Sequence, residues 1–410
     1  MSDTPEAQIE QAQAAFARGD AKAARALLQA ACRSGNPDAV YAYAVALAYG
    51  QGGPIDRPEA AALISGIYGS SAAANRLHRV ALASQWAKGK GWRDAAAELV
   101  KDARAGQPAE TREAGLLCLM AGEDTAGRAL LSLAASAGDP AAGMALMRMG
   151  YANRNAHKWA KATAEGLQRS KHPLAQELLA IPQISLPSSD TLDWSLIEEQ
   201  LATDFFAAGP ADTVIEDISA TRYKAALPLP VCDYILTTGL RALRPSMIVD
   251  PDTGEQKANP HRQSLSMTFA PNLQDLVHVA VEHRMAAMAG FPAENTERLN
   301  LLFYRPGEHY KPHVDYFAPD DLGSTGELNR AGQRAATSLI RLHAASQGGA
   351  TRFPRFDTAW TGTIGEGLSF QNTDESGKPN PLTLHQGEPV LAGWKALASL
   401  WIRERDMGVN

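Results

Sequence analysis

The chain has 410 residues, 45% of them hydrophobic, and carries 39 Lys and Arg against 45 Asp and Glu, a formal net charge of -6. That length exceeds one ordinary core and points to two or three soluble globular domains, while the mild acidity gives no basic footprint for nucleic acid. Three cysteines, Cys32, Cys118 and Cys232, lie far apart and outside any Cys-x-x-Cys spacing, which excludes a disulfide framework or zinc knot and fits reduced thiols in a cytoplasmic setting.

The first twenty residues are polar and acidic where a signal peptide needs a basic start and an apolar run, and no stretch of 18 uninterrupted apolar residues follows. Neither export nor membrane spanning is expected. Residues 1–180 are alanine-rich, and segments such as 21–31 and 95–105 place Ala and Leu at helical spacing with few β-branched residues. Turn-like groups begin at Gly35, Gly69, Gly106 and Gly138, at intervals of 34, 37 and 32 residues, about the period of a helix-turn-helix repeat. Proline follows three of these turns, where the first turn of a helix tolerates its missing N–H. With the unit AACRSGNPDAVYAYAVALAYGQGGPIDRPEAAALI from Ala30, roughly residues 5–180 resemble Sel-one-like, tetratricopeptide-like repeats. The resemblance implies an α-solenoid able to hold a protein partner.

Residues 181–190, IPQISLPSSD, lack helical period and read as a linker. A helix is expected over 192–206 and another over 277–288. Strands are expected over 298–304, 337–342, 367–370 and 396–402, a pattern of many short strands that predicts a jelly roll with flanking helices. Residues 191–410 would form this second domain.

The densest chemistry lies in residues 302–317, LFYRPGEHYKPHVDYF. Pro312 disfavours helix, so His313 and Asp315 should be extended and project from one face of a strand. Together with the distant His385 they form a three-point facial set of the kind that holds non-haem Fe(II) and leaves positions open for a co-substrate and dioxygen. Lys395 follows His385 by ten residues, at a distance a hairpin could fold back, just before the apolar run ALASLWI. A lysine entering an apolar interior needs a fixed anion, and the distal carboxylate of 2-oxoglutarate would be one. His309 and His313 share the four-residue spacing of zinc proteases, but Tyr310 stands where the glutamate is needed and Pro312 breaks the helix. His309 and His343 read as surface or supporting residues.

Residues 262–405 resemble the catalytic domain of the prolyl 4-hydroxylase type of Fe(II)/2-oxoglutarate-dependent dioxygenases. The matching pieces are RQSLSMTF, TERLNLLFYRPGEHYKPHVDYF, AGQRAATSLIRL, GGATRFP, the Gly365-Glu366-Gly367 turn and TLHQGEPVLAGWKALASLWIRER, in family order. The resemblance implies a double-stranded β-helix in which His313, Asp315 and His385 bind iron and Lys395 pairs with 2-oxoglutarate. Tyr304 and Thr351 would hydrogen-bond that co-substrate, with Trp401 packing beside it. Tyr310 and Arg334 correspond to positions facing a peptide substrate. Two departures stand out: Ala350 replaces the usual glutamate of Gly-Gly-Glu-Thr, and Arg341 occupies an aromatic or aliphatic position. The loop 318–330, with Asp320 and Asp321, has little family likeness.

These residues point to an enzyme that uses Fe(II), 2-oxoglutarate, O2 and, as reductant, ascorbate to hydroxylate a peptidyl side chain, foremost proline, releasing succinate and CO2. The same chemistry on another side chain or a small molecule is the alternative. A repeat scaffold with an inert oxygenase domain is the rival from a different class.

Overall fold

The computed structural model describes residues 4–86, 89, 91–149, 151–152, 174, 184–185, 192–249, 256–258, 261–318 and 324–407. Most of the linker 181–190, the end of the repeat region and the acidic pair Asp320 and Asp321 therefore lie outside the described residues. Ile184–Ser185 form a short parallel pairing with Tyr151–Ala152. Among the described residues, no helix is long and apolar enough to cross a membrane.

The chain divides into two compact units, and the division does not follow the change in composition. One comprises Met1–Leu99 with Ala270–Val279; the other comprises Val100–Phe269 and Ala280–Gly408. Among the described residues nine helices run from Pro5 to Arg148: α1 Pro5–Ala17, α2 Ala21–Cys32, α3 Pro37–Tyr49, α4 Arg57–Gly66, α5 Ala72–Ala83, α6 Trp92–Arg104, α7 Pro108–Met120, α8 Asp124–Ser136 and α9 Pro140–Arg148. The recurring turns are their boundaries. Gly35 and Gly138 take φ of +74° and +97°, open only to glycine at little cost, and Asn36 and Asp139 cap the helices that follow.

In the first unit, α1 to α5 pack each on its neighbour around small and aliphatic side chains including Ala12, Leu28, Leu47, Ile64 and Leu77. Asn272, returning from far along the chain, accepts a hydrogen bond from the Tyr49 hydroxyl at 2.5 Å and another, through its carbonyl, from Arg76 at 3.2 Å. In the second unit, α7 to α9 pack against helices that follow them: α10, Trp194–Leu201, on α7, and α11, Leu229–Leu240, on α9. Arg148 pairs with the buried Asp233 at 2.8 Å, and Arg112 links Asp139 at 2.6 Å to the Tyr234 hydroxyl at 3.2 Å.

Among the described residues two larger sheets, of eight and four strands, build most of the rest of this unit. Their strands are β1 Ala211–Ile215, β2 Ala220–Tyr223, β3 Arg244–Pro245, β4 Leu265–Thr268, β5 Asn300–Tyr304, β6 Tyr310–His313, β7 Arg334–His343, β8 Thr351–Phe353, β9 Thr358–Trp360, β10 Gly367–Gln371, β11 His385–Gly387 and β12 Lys395–Arg403. The larger sheet has the order β1-β2-β10-β7-β12-β5-β4-β3, and the smaller β6-β11-β8-β9. This is the jelly-roll arrangement of a double-stranded β-helix. Strand parity decides what each face carries. On β12, Ala396, Ala398, Leu400 and Ile402 lie on one face, while Lys395, Leu397, Ser399 and Trp401 line a cavity on the other. The outer face of the larger sheet meets α12, Leu276–Ala289: Ser338 on β7 and Ser369 on β10 donate to the carbonyls of Met285 and Met288 at 2.7 and 2.8 Å.

Candidate active site

His313 ends β6 and His385 begins β11, and the antiparallel register pairs them directly. Asp315 lies two residues past the end of β6, in a bend, so the ligand pair does not share one continuous strand as its spacing predicts. The bend still delivers the carboxylate. Asp315 stands 3.7 Å from Nε2 of His313 and 3.6 Å from Nε2 of His385, and one ligand atom from each residue lies within 4.8 Å of the others.

Each group is oriented by a partner behind it. The Nδ1–H of His313 donates to the Lys311 carbonyl at 2.8 Å and that of His385 to the Thr383 carbonyl at 2.9 Å, which leaves both Nε2 lone pairs facing Asp315. Asp315 Oδ2 accepts from the Thr337 hydroxyl at 2.7 Å, and Thr337 accepts from Asn372 Nδ2 at 2.9 Å. Burial, with the neighbouring His385, pushes the His313 imidazole well below its ordinary range, so it is neutral and free to donate electrons. Burial alone would raise the Asp315 carboxyl, but the two imidazoles and Thr337 outweigh it and hold the group ionised. A neutral His, an ionised Asp and a second His with converging Nε2 form a facial metal site.

The model of the 2OG-Fe(II) oxygenase superfamily matches residues 299–403, which span the triad and Lys395. Probable prolyl 4-hydroxylase 6 of Arabidopsis thaliana is 32% identical over 241 residues, 53% of this chain and 81% of that protein. The chain belongs to the prolyl 4-hydroxylase family. Probable prolyl 4-hydroxylase 7 of the same plant is 30% identical over 237 residues, 52% of this chain and 72% of that one. A solved structure, viral collagen prolyl hydroxylase from Paramecium Bursaria Chlorella virus-1 with 2OG, is 24% identical over 45% of this chain and 95% of that one, with a TM-score of 0.36. Family membership rests on the sequence relatives.

As a member of this family the chain is an enzyme of the 2OG-Fe(II) oxygenase class, and its own residues fit both groups that class employs. The triad supplies the donor set. Beside it, a cavity of roughly 410 Å³, counted with its open mouth, is lined by Tyr304, Tyr310, Thr351, Lys395 and Trp401 as well as the triad. Lys395 is 1% exposed, and burial holds its ammonium well below the usual lysine range. Among the described residues no carboxylate reaches it within ion-pair distance. The Lys395 strand does not fold back on His385 as a hairpin; the two belong to opposite sheets. A Cβ placed on Gly387 would stand 3.8 Å from Lys395 Nζ across the gap. A dicarboxylate fits this seat, because it would bring the missing negative charge to a desolvated cation.

The other predicted residues separate into two groups. Tyr304 lies opposite Lys395 in the β5–β12 register, with Nζ 4.8 Å from its ring centroid, and Thr351 lies opposite Gly387 on β8. Tyr310 stacks on His313, centroids 3.5 Å apart, and burial pushes its phenol up to about 12. Trp401 lines the cavity and buries its indole Nε1 without a hydrogen-bond partner. Arg334, expected at the substrate, stands behind the cavity-lining Trp401. It makes a bidentate pair with Glu297 at 2.8 and 2.9 Å, and its guanidinium stacks 4.0 Å over the Trp401 ring. Its role in this geometry is to hold the indole and, through a 3.5 Å bond to the Asp315 carbonyl, the metal-bearing bend. Sequence reasoning passed over Thr337, although its position two residues before Leu339 on β7 puts it on the cavity face. His309 is half-buried, and His343 stacks on Trp394 with centroids 3.4 Å apart.

Proposed function

We propose that this enzyme hydroxylates a prolyl side chain of a peptide or protein, converting 2-oxoglutarate and O2 to succinate and CO2 as one oxygen atom enters the substrate C–H bond. The observation that carries the reading is the buried, unpaired Lys395 in the same cavity as the His313, Asp315 and His385 set. Bound Fe(II) would supply the oxidising power for an unactivated C–H bond. The protein's own work is placement. His313 and His385 turn their Nε2 atoms toward the metal position, Asp315 contributes the negative charge that Thr337 orients, and Lys395 with Tyr304 and Thr351 would seat the dicarboxylate.

Proline as the target is supported by the relatives, named as prolyl 4-hydroxylases, and by two aromatic walls, Tyr310 and Trp401, suited to a small saturated ring. We place the protein in the cytoplasm, with ascorbate as its reductant and the helical repeats as the surface that presents a peptide or protein partner. Purified protein with Fe(II), 2-oxoglutarate and ascorbate should release succinate on addition of a proline-containing peptide, and the peptide should gain one oxygen by mass. A broad proline peptide set that gains no oxygen while another side chain does would move the substrate and keep the chemistry. Absence of substrate-stimulated succinate under all these conditions would favour the inert-scaffold rival.

A further inference from the structure

The departure at Arg341 has a physical counterpart beside the cavity. On β7 the positions Thr337, Leu339 and Arg341 share one face, and Leu339 lines the cavity. So does Leu397, the register partner of Arg341 on β12. The Arg341 side chain therefore enters the space between the two sheets, where its guanidinium carbon lies 4.9 Å from the centroid of Trp360 on β9.

Arg341 is 1% exposed, and its Nε and Nη2 are buried with no hydrogen-bond partner. Glu366 acts on it from a distance, but that carboxylate is occupied: it accepts from Trp360 Nε1 at 2.5 Å and from the Thr363 hydroxyl at 3.5 Å. Burial lowers the basicity of Arg341 to about 10, and after burial the charge of Arg341 is what most disfavours protonation of Lys395. Two desolvated cations thus lie close together between the sheets, Lys395 lining the cavity and Arg341 on the same face of β7 as the cavity-lining Leu339, and neither is within ion-pair distance of a carboxylate among the described residues. Such an arrangement is costly when empty and becomes favourable when an anion with two acceptor oxygens enters. Cation–π contact with Trp360 alone does not satisfy the two orphaned donors.

We propose that Arg341 is a second cation holding the distal carboxylate of 2-oxoglutarate, so that the dicarboxylate seat of this enzyme carries two positive charges, Lys395 and Arg341. The inference rests on the functional reading above and adds a co-substrate-binding residue to it. Its consequence is specificity for a 2-oxo acid with a distal carboxylate.

Calorimetric titration of the full-length protein with Mn(II) in place of iron, so that no turnover occurs, tests this. The ligands are 2-oxoglutarate and 2-oxopentanoate, which has the same carbon chain but a methyl group in place of the distal carboxylate. Arg341→Met should weaken 2-oxoglutarate at least about tenfold while leaving 2-oxopentanoate and Mn(II) affinity within about twofold. Lys395→Met should retain at least about a fivefold preference for 2-oxoglutarate, supplied by Arg341. Equal weakening of both ligands in Arg341→Met, or wild-type affinity for 2-oxoglutarate, overturns the proposal. If Arg341→Met does not fold, Lys395→Met decides, and loss of all preference there overturns it too. Failure of the wild-type protein to bind 2-oxoglutarate at all is a different result, which removes the functional reading and this inference with it.

Discussion

In the core formed by the first helices the buried side chains include Ala12, Ala24, Leu28, Leu47, Ile64 and Leu77, whereas between the two sheets the chain buries Asp315, His385, Arg341 and Lys395. Alanine and leucine packing is favourable on its own, because every square ångström removed from water contributes and nothing needs a partner. Charge between the sheets is different. Asp315 is matched by two imidazoles and a hydroxyl, but Lys395 and Arg341 have no such match, so that region carries an unmet electrostatic demand that only a ligand can answer. The core of the first helices rests on apolar packing, and the barrel is built around what it will bind.

The sharpest way to break this comparison is to remove a metal ligand. His313→Ala should abolish metal-dependent succinate formation, by more than the roughly 10–100-fold that loss of an outer partner costs, and chelation of the wild-type protein should reproduce that loss. Because His313 stands at a strand end beside the cavity rather than in an apolar core, circular dichroism should show the fold retained. A variant that keeps full activity would mean the triad is not the metal site.

The converse substitution lies among the helices. Leu47, 1% exposed, packs in the first helical core, and Leu47→Ala should cost about 2–5 kcal/mol of stability in a denaturant titration. Its Mn(II) affinity should stay within about twofold of wild type. A parallel loss of metal affinity would show that the two kinds of burial are not independent.

Between these extremes lies Thr337, which touches no metal but orients Asp315 Oδ2 at 2.7 Å. Thr337→Val keeps the shape and removes the donor, so metal affinity should fall roughly 10–100-fold, and because the buried Asn372 amide loses its acceptor the fold should also lose about 1–3 kcal/mol. If affinity does not move, the hydroxyl is a passenger and Asp315 is fixed by the backbone alone.

What could be read from the sequence follows from which forces are local. The ligand residues were legible because Pro312 fixes extended backbone and His-x-Asp is a dense pattern, and Lys395 because a single cation at the head of an apolar run is conspicuous. Tertiary partners were not. Arg334 could be matched to a substrate-facing position but not to its ion-pair partner Glu297, 37 residues away in sequence. Arg148 and Asp233 belong to segments with no shared pattern, so the packing of α9 against α11 could not be seen in composition. Arg341 could be marked as a departure but not placed, because a buried arginine is recognised by the partners it lacks.

The smallest effect probes how self-sufficient the repeats are at their turns. Asn36 caps α3 by accepting from the backbone N–H of Asp38 at 3.0 Å and Ala39 at 3.2 Å, while Gln107, at the corresponding place before α7, makes no side-chain cap. Its longer side chain puts the amide oxygen too far out to turn back on those donors. Asn36→Ala should therefore cost about 1 kcal/mol, read as a lower denaturant midpoint with unchanged slope, whereas Gln107→Ala should cost close to nothing. Gln107→Asn should then gain a few tenths to about 1 kcal/mol by installing the missing cap. If Asn36→Ala and Gln107→Ala are equal, the turns are held by the glycine backbone and the packing of adjacent helices, and capping contributes nothing measurable to the repeat.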